Sequence, residues 1–364
     1  MSANTEVLNV KKLKGRTFLT DTNLLLIITV LVFFSMYTAA VQFLGSGFTK
    51  PQMFFNILNE NASLLVLSCG MTLVMITGGI DISVGQVTCL VCMASAVFMN
   101  DNSITGAMPE GQAVVVSMLI ALGIGLAFGI VQGLLVAYLE FQPFIVTLAG
   151  MFFAKGMTTI ICSDRVNIDN EINHAFYKLS TTEVSVPFIG SYNKLGEFIP
   201  AFVEVGVVVA LIVVALLFVL LRWTKLGRNF YAVGGNNQSA NMLGINVKLT
   251  KFLAHVLCGL CAGIGGYLFF LHARSGSPLH ATGAEMNAIA SSIIGGTMLS
   301  GGVGNIIGTL FGVLSLSTIK NIVTSLGLED PWWTNITVAI MLCIFLLVKS
   351  VISVILARKK KNKK

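Results

Sequence analysis

Charged side chains are scarce in this sequence. Only 11% of its 364 residues are Asp, Glu, Lys or Arg, whereas an ordinary soluble domain carries about 25%. Apolar residues make up 55% of the chain, and its mean hydropathy is +0.85. The chain lacks the polar surface that a soluble protein of this length needs, so its composition predicts an all-α polytopic membrane protein.

The motifs of common metal and nucleotide sites are also missing. None of the four histidines belongs to a His-Glu-x-x-His sequence, and most of the seven cysteines lie inside apolar stretches. The chain has no Gly-x-x-x-x-Gly-Lys-[Ser/Thr] sequence. We therefore expect no metal site, no bound cofactor and no hydrolysis of nucleotide by this chain. An intramembrane aspartyl protease is disfavoured, because only Asp81 is an aspartate at membrane depth.

Ten stretches are candidates for membrane spans. A helix needs roughly 20 apolar residues to cross ~30 Å of hydrocarbon. The first stretch is too long for a typical signal peptide and no clear cleavage site follows, so we interpret it as a span. Nine stretches lie near residues 24–44, 62–78, 82–99, 113–138, 143–162, 200–221, 252–272, 304–325 and 334–357. A tenth, near 286–299, is short and rich in small residues, and it is either a full span or a re-entrant segment.

The basic residues predict the orientation of the chain. With ten spans and both termini in the cytoplasm, fifteen Lys and Arg residues lie on the cytoplasmic side and five lie outside. This bias agrees with the positive-inside rule. The net charge of +7 therefore reflects orientation, and we expect no nucleic-acid partner.

The predicted organisation is a single membrane unit without linkers. A cytoplasmic arm (1–23) precedes the transmembrane domain (24–357), and a basic cytoplasmic tail (358–364) follows it. Two loops leave the membrane within that domain. The outer loop covers about 163–199, and a shorter basic loop covers about 222–251 on the cytoplasmic side.

A glycine pair interrupts the apolar sequence near residues 78–85. Gly78 and Gly79 end one span, and Asp81 and Ser83 open the next. A helix break at membrane depth implies a protein-lined or watery environment. Asp81 either caps the free amides at the helix start or contacts a substrate directly, since acids inside a membrane are usually functional.

A second break near residues 295–304 repeats the pattern of the first. Gly295 to Gly302 and Gly78 to Gly85 share the pattern GGxxxSxG, which includes Gly296 and Ser300. Transporters often duplicate a bundle and build their pathway where broken helices meet. A chance match between glycine-rich segments used for helix packing is the alternative.

Glu285 and Asn287 precede the second break. We expect them to begin the short span from the outer side. A carboxylate and a carboxamide facing a cavity could hydrogen-bond the hydroxyl groups of a substrate. They could equally cap the helix that follows.

The cytoplasmic loop predicts a small folded element. A short helix, about Asn237–Leu243, is expected between a turn at Gly234–Gly235 and Gly244, with basic residues on both sides. A compact loop of this kind suits docking to a soluble partner. Attraction to lipid headgroups would also explain the basic residues.

Four segments of the sequence resemble a known family. These are GMTLVMITGGIDISVGQV, PFIVTLAGMFFAKG, TKLGRNFYAVGGNNQSANMLGINV and GAEMNAIASSIIGGTMLSGGVGNIIGTLFG. Together they resemble the permease subunits of ribose/xylose/galactose-type bacterial ABC sugar importers, in the family's order, over about residues 50–325. The segments AGMFF, GGNNQSANMLGI and WWT are most similar to galactofuranose-importer permeases. Ile82 stands where relatives usually carry Leu, a conservative change.

The resemblance implies a function and several partners. It implies a permease in the bacterial inner membrane that translocates a monosaccharide by alternating access, fed by an extracytoplasmic sugar-binding protein. A separate ATPase subunit would carry ATP and Mg, and a second, identical or paralogous, permease would complete a dimer. A passive sugar channel without ATP coupling is the alternative function.

The resemblance also assigns residues. For the substrate pathway it assigns Gly78, Gly79, Asp81, Ser83 and Gly85 of the first break, to which the second break and the residues before it add Glu285, Asn287, Gly295, Gly296 and Ser300 for the reasons given above. The surface that docks the ATPase is assigned to Thr224, Lys225, Gly227, Arg228, Tyr231, Gly234, Gly235, Asn236, Ala240, Leu243 and Gly244.

Overall fold

The computed structural model describes residues 21–344, except 46, 106–107, 170–172, 193–195, 329, 331 and 334, together with residue 347. Helices dominate this part of the chain. They are α1 (Asp21–Leu44), α2 (Pro51–Ile76), α3 (Val84–Asn100), α4 (Asn102–Thr105), α5 (Glu110–Ala137), α6 (Pro143–Ile161), α7 (His174–Thr181), α8 (Val205–Trp223), α9 (Lys225–Gly235), α10 (Asn237–Met242), α11 (Val247–Ala273), α12 (Ala284–Ile294) and α13 (Ile306–Ser325).

Seven described helices are long and apolar enough to cross a membrane: α1, α2, α5, α6, α8, α11 and α13. Helix α3 and a helix at Asn335–Ile344 are apolar but shorter. The chain is therefore a mostly helical polytopic membrane protein. The count of ten spans and the cytoplasmic position of both termini stay predictions. The cytoplasmic tail, most of the N-terminal arm and most of the last predicted span lie outside the described residues.

Helices α2 and α11 form the centre of the bundle. Inside the protein, 78% of the α2 span and 61% of the α11 span are buried, compared with 22% for α5 and 28% for α8. Helix α11 packs closely on α5 through glycines. A Cβ atom on Gly129 would lie 2.8 Å from the carbonyl oxygen of His255, and one on Gly263 would lie 2.7 Å from that of Ala121. Small residues therefore let the two backbones approach, as in many membrane bundles.

The outer loop adds two short strands to this mostly helical chain. Strands β2 (Glu183–Tyr192) and β3 (Phe198–Glu204) pair antiparallel, with an irregularity between Val186 and Gly190. The predicted span 200–221 begins instead with β3, and α8 starts at Val205. The side chain of Gln52 holds β3 by accepting from the Phe202 amide at 2.9 Å and donating to its carbonyl at 3.1 Å.

A second small sheet fastens the outer loop to the segment after α11. Strand β1 (Val166–Asn167) pairs antiparallel with β4 (Ser275–Gly276). Cys92 on α3 donates to the carbonyl of Ser275 at 3.1 Å, and Cys89 donates to that of Ser277 at 3.3 Å. The chain after α11 therefore runs beside α3 without forming a helix until Ala284.

Candidate functional site

The first glycine break lies where the sequence predicts it. Helix α2 ends at Ile76, Gly78 has a φ of +84°, and α3 begins at Val84. Gly79 is buried against Val74 and Pro143. A left-handed residue at this point lets the chain leave α2 sharply without a steric cost.

Asp81 organises the start of α3. It is only 1% exposed, and its Oδ1 atom accepts from the amide of Ser83 at 3.0 Å and from the hydroxyl of Ser83 at 2.6 Å. Ser83 in turn accepts from the Gln132 amide on α5 at 2.8 Å. This is an Asx-turn just before α3, whose N-cap residue is Ser83 and makes no side-chain cap bond, so Asp81 supports the approach to the helix without capping its free amides.

The start of α3 lies deep in the bundle. A Cβ atom on Gly150, near the middle of α6, would lie 3.6 Å from the Cβ atom of Ser83. Since α6 is long enough to span a membrane, the first turn of α3 lies near the middle of the apolar layer.

The second break has the same construction. Helix α12 ends at Ile294, Gly296 has a φ of +93°, and Gly301 and Gly302 have φ values of +84° and +75°. Gly295 packs directly on the backbone of Gly308 in α13. The loop closes through a hydrogen bond of 3.0 Å from the Met298 amide to the Val303 carbonyl.

The two breaks touch each other. The amide of Gly302 donates to the carbonyl of Ile76 at 2.8 Å, and a Cβ atom on Gly301 would lie 3.0 Å from the Cα atom of Gly78. Hydroxyl groups extend the contact deeper, since Thr72 on α2 lies 2.7 Å from Thr309 on α13. The repeated sequence pattern therefore marks two loops that pack on one another.

Helix α9 packs against both breaks. A Cβ atom on Gly234 would overlap the carbonyl oxygen of Ile76 and would also lie 2.5 Å from the amide nitrogen of Gly302. The Tyr231 hydroxyl donates to the Gly304 carbonyl at 2.9 Å. Burial raises the pKa of the Tyr231 hydroxyl, so this group remains a donor at neutral pH.

The cytoplasmic loop contains two helices where the sequence predicts one, so the turn expected at Gly234–Gly235 was wrong. These glycines form the last turn of α9, and the chain turns at Asn236 instead. Thr224 caps α9 by accepting from the Gly227 amide at 3.1 Å, and Asn236 caps α10 by accepting from the Ser239 amide at 2.8 Å. Two good N-caps in succession produce two short helices.

The residues assigned to docking divide into two groups. The packing group is buried or half-buried and consists of Thr224, Gly227, Tyr231, Gly234 and Ala240. The exposed group consists of Lys225, Arg228, Gly235, Asn236, Leu243 and Gly244. Sequence reasoning missed Met242, which is 86% exposed beside Leu243 at 80%. Two adjacent apolar residues in an otherwise polar loop were the feature of the sequence that could have indicated an interaction surface.

Helix α12 is a half-span, and Glu285 and Asn287 lie at its start, as the sequence predicts. The helix has 11 residues and is therefore about 16 Å long. The non-helical chain after α11 follows α3 inward, and Glu285 reaches the first turn of α3 at Gly85. Non-helical backbone at this depth is tolerated because it is buried in protein.

The Glu285 side chain occupies space that is open only because residue 85 is a glycine. It is 8% exposed, and a Cβ atom on Gly85 would overlap its Oε2 atom. This Oε2 atom has no hydrogen-bond partner among the described residues, and neither has the Oε1 atom of the buried Gln86. Asn287, two residues further along the chain, is half-buried.

The structure separates the residues assigned to the pathway into two places. Asp81, Ser83, Gly85 and Glu285 lie at the first turns of α3 and α12. Gly78 and Ser300 lie at the contact between the breaks, where Ser300 is exposed. Sequence reasoning also missed Gln132, an amide in the apolar C-terminal half of α5 that bonds Ser83.

The cysteines occur twice with Cys-x-x-Cys spacing, so the expectation that the motifs of common metal sites are missing was wrong for this one motif. The pairs are Cys89 with Cys92 on α3 and Cys258 with Cys261 on α11. All four thiols are free and buried. No group of three or more metal-ligating side chains occurs within the described part of the chain.

The fold and these contacts define a polytopic membrane protein that has two broken helices in contact with the pair of short helices α9 and α10. The profile of the family described as "Branched-chain amino acid transport system / permease component" matches residues 53–346. The chain belongs to this family.

Relatives with curated names cover most of the chain. It is 36% identical over 326 residues to the inner membrane ABC transporter permease protein YjfF of Escherichia coli K12, covering 89% of this chain and 91% of the relative. It is 33% identical over 312 residues to the ribose import permease protein RbsC of the same strain, covering 85% and 89%. It is 28% identical over 356 residues to the fructose import permease protein FruG of Bifidobacterium longum, covering 98% and 99%.

These similarities confirm the resemblance to sugar-import permeases and the localisation as a multi-pass inner-membrane protein. No solved structure matches this chain.

Proposed function

We propose that this chain is the transmembrane subunit of an ABC importer that moves a monosaccharide across the inner membrane by alternating access. The contact of α9 with both helix breaks carries this proposal. Because Gly234 lies directly against the Ile76 carbonyl and the Gly302 amide, a displacement of α9 would move both breaks. A separate ATPase that binds ATP and Mg would cause this displacement of α9 from the cytoplasm.

The exposed surface of α9 and α10 supports the docking of such an ATPase. Arg228 offers a charge, and Met242 and Leu243 offer apolar side chains that are 86% and 80% exposed. Exposed aliphatic side chains of this size on a polar loop are typical of interaction sites. The packing group beneath them fixes the two helices to the breaks.

The buried carboxylate of Glu285 supports a hydroxylated cargo. Its Oε2 atom is unpartnered at the start of a half-helix near the middle of the bundle. Broken helices at this depth are where transporters place their substrate sites. Glu285 would accept from a sugar hydroxyl, and Asn287 would add an amide. The motif resemblance makes galactofuranose our first candidate, with pentoses and other hexoses next.

An exposed charge on α6 supports a second permease. Lys155 lies within the α6 span and is exposed in the single chain. A charge that faces lipid at this depth is costly. A partner permease, the same chain or a paralogue, would cover this face and complete the pathway, and a binding protein would deliver the sugar from outside.

The test is uptake by the assembly reconstituted with its ATPase and binding protein in liposomes. We expect labelled sugar to accumulate against its gradient only when ATP reaches the ATPase. Equal uptake by this chain alone, limited to equilibration, would support a passive channel instead.

The docking surface is tested by the double variant Met242→Ser and Leu243→Ser. We expect at least a tenfold weaker association with the ATPase and no change in folding, because both side chains are exposed. Leu326→Ser is the matched control, since Leu326 is 60% exposed and follows the C-terminal end of α13, away from α9 and α10 and from the second break. Undiminished association of the double variant would refute the docking assignment.

A further inference from the structure

A polar cleft lies at the end of the bundle where α5, α6 and α11 meet. Its volume is about 820 Å³, and its walls are the α5–α6 connection, α10 and the first turn of α11. This volume is within the range of about 300–1,000 Å³ that is typical of small-molecule sites. None of the pathway residues lines it.

The cleft has a positive charge. Lys248 and Lys251 line it together with a single acid, Glu140, which bonds Lys248 at 2.9 Å. The hydrogen bond from Lys248, together with the charges of both lysines, lowers the pKa of the Glu140 carboxyl, so the acid is charged at neutral pH. Lys251 forms no salt bridge with any described residue. One lysine is therefore left to bind an anion.

Amide side chains complete the polar lining. Gln142, Asn237, Gln238 and Asn241 face the cleft. Amides donate and accept hydrogen bonds without adding charge, so they suit phosphate oxygens as well as the hydroxyl groups of a headgroup.

Exposed apolar side chains lie in, and flank in sequence, the α5–α6 connection that lines the cleft. Leu139 is 63% exposed and Phe141 56%, and the first turn of α6 adds Phe144 at 52% and Ile145 at 59%. Because α5 and α6 are long enough to span a membrane, these side chains lie where hydrocarbon meets headgroups. A soluble partner would leave the side chains on α6 uncovered, whereas acyl chains would cover them.

We propose that this cleft binds an anionic phospholipid, with its phosphate at Lys251 beside the Lys248–Glu140 pair and its acyl chains along the exposed start of α6. Basic pockets between spans at a membrane surface bind such headgroups. This site does not depend on the proposed transport function.

The test uses the native assembly purified in neutral detergent and titrated with phosphatidylglycerol or phosphatidylcholine, with bound lipid counted by native mass spectrometry. We expect phosphatidylglycerol to bind at least tenfold more tightly. Replacing each lysine, Lys248→Gln and Lys251→Gln, should weaken it about fivefold. Glu140→Gln should strengthen it, because Lys248 is then released; a gain of binding cannot come from misfolding.

Arg222→Gln is the matched control, since this exposed cytoplasmic-loop base does not line the cleft. An equal loss in this control, or equal binding of both lipids by the unaltered protein, would overturn the proposal. Displacement of phosphatidylglycerol by millimolar inorganic phosphate would assign the cleft to free phosphate instead. Loss of ATPase association with unchanged lipid binding in the lysine variants would assign it to a protein partner.

Discussion

The amide of Gly302 donates a hydrogen bond of 2.8 Å to the carbonyl of Ile76 and thereby joins the two broken helices. Ile76 is the last residue of α2, so its carbonyl has no partner within the helix. The loop of the second break supplies that partner, and Gly234 lies against the same pair. Three segments far apart in sequence therefore meet at one hydrogen bond.

Gly234→Ala should damage this junction. The added methyl group would overlap the Ile76 carbonyl oxygen, and overpacking of this kind costs about 1–3 kcal/mol. We expect a lower melting temperature for the purified protein and reduced ATP-driven uptake. Gly235→Ala is the stability control, because a Cβ atom there meets nothing within 4 Å. Equal melting temperatures for the two variants would contradict the packing described for α9.

Asp81 offers a test of local structural support against substrate contact. Asp81→Ala removes the acceptor for the Ser83 amide and hydroxyl, and should destabilise the fold by about 1–3 kcal/mol, as leaving buried donors without a partner does. Asp81→Asn keeps an acceptor oxygen and should fold, while losing part of its transport. Uptake and thermal unfolding would be measured for both variants. If Asp81→Asn also fails to assemble, the structural role alone is the better account.

Gly85 and Glu285 should behave as a coupled pair. Gly85→Ala forces the Glu285 carboxylate out of its place, so we expect uptake to fall at least tenfold. Glu285→Gln keeps the shape of the side chain but weakens its acceptor, and should lower sugar uptake with little change in stability. In the double variant of Gly85→Ala with Glu285→Ala the overlap with the carboxylate is absent and only the 3.0 Å approach to the backbone nitrogen of residue 285 remains, so stability should recover in part relative to Gly85→Ala alone. Strictly additive losses of stability would show that the two residues do not touch.

The orientation is tested at the C-terminus. A reporter fused after Lys364 should give a cytoplasmic signal, because ten spans with a cytoplasmic N-terminus return the basic tail to that side. The control is the same reporter inserted in the outer loop after Asp164. An external signal from the C-terminal fusion would refute the count of ten spans.

The sequence alone determined the class of the protein and the position of its main elements. Apolar runs of about 20 residues predicted the long helices, and glycine pairs predicted both breaks, since these properties depend on local chemistry. The motifs identified the family because they extend over most of the chain.

Only the tertiary structure decided which of these elements meet. The depth of Glu285 depends on the cysteines of α3 that hold the chain after α11, and Gln132 entered the site only through α5 packing on α3. Strand β3 replaced the predicted start of α8 because Gln52, about 150 residues away, bonds its backbone. Hydrogen bonds between distant segments leave no periodic trace in the sequence, so local patterns could not predict them.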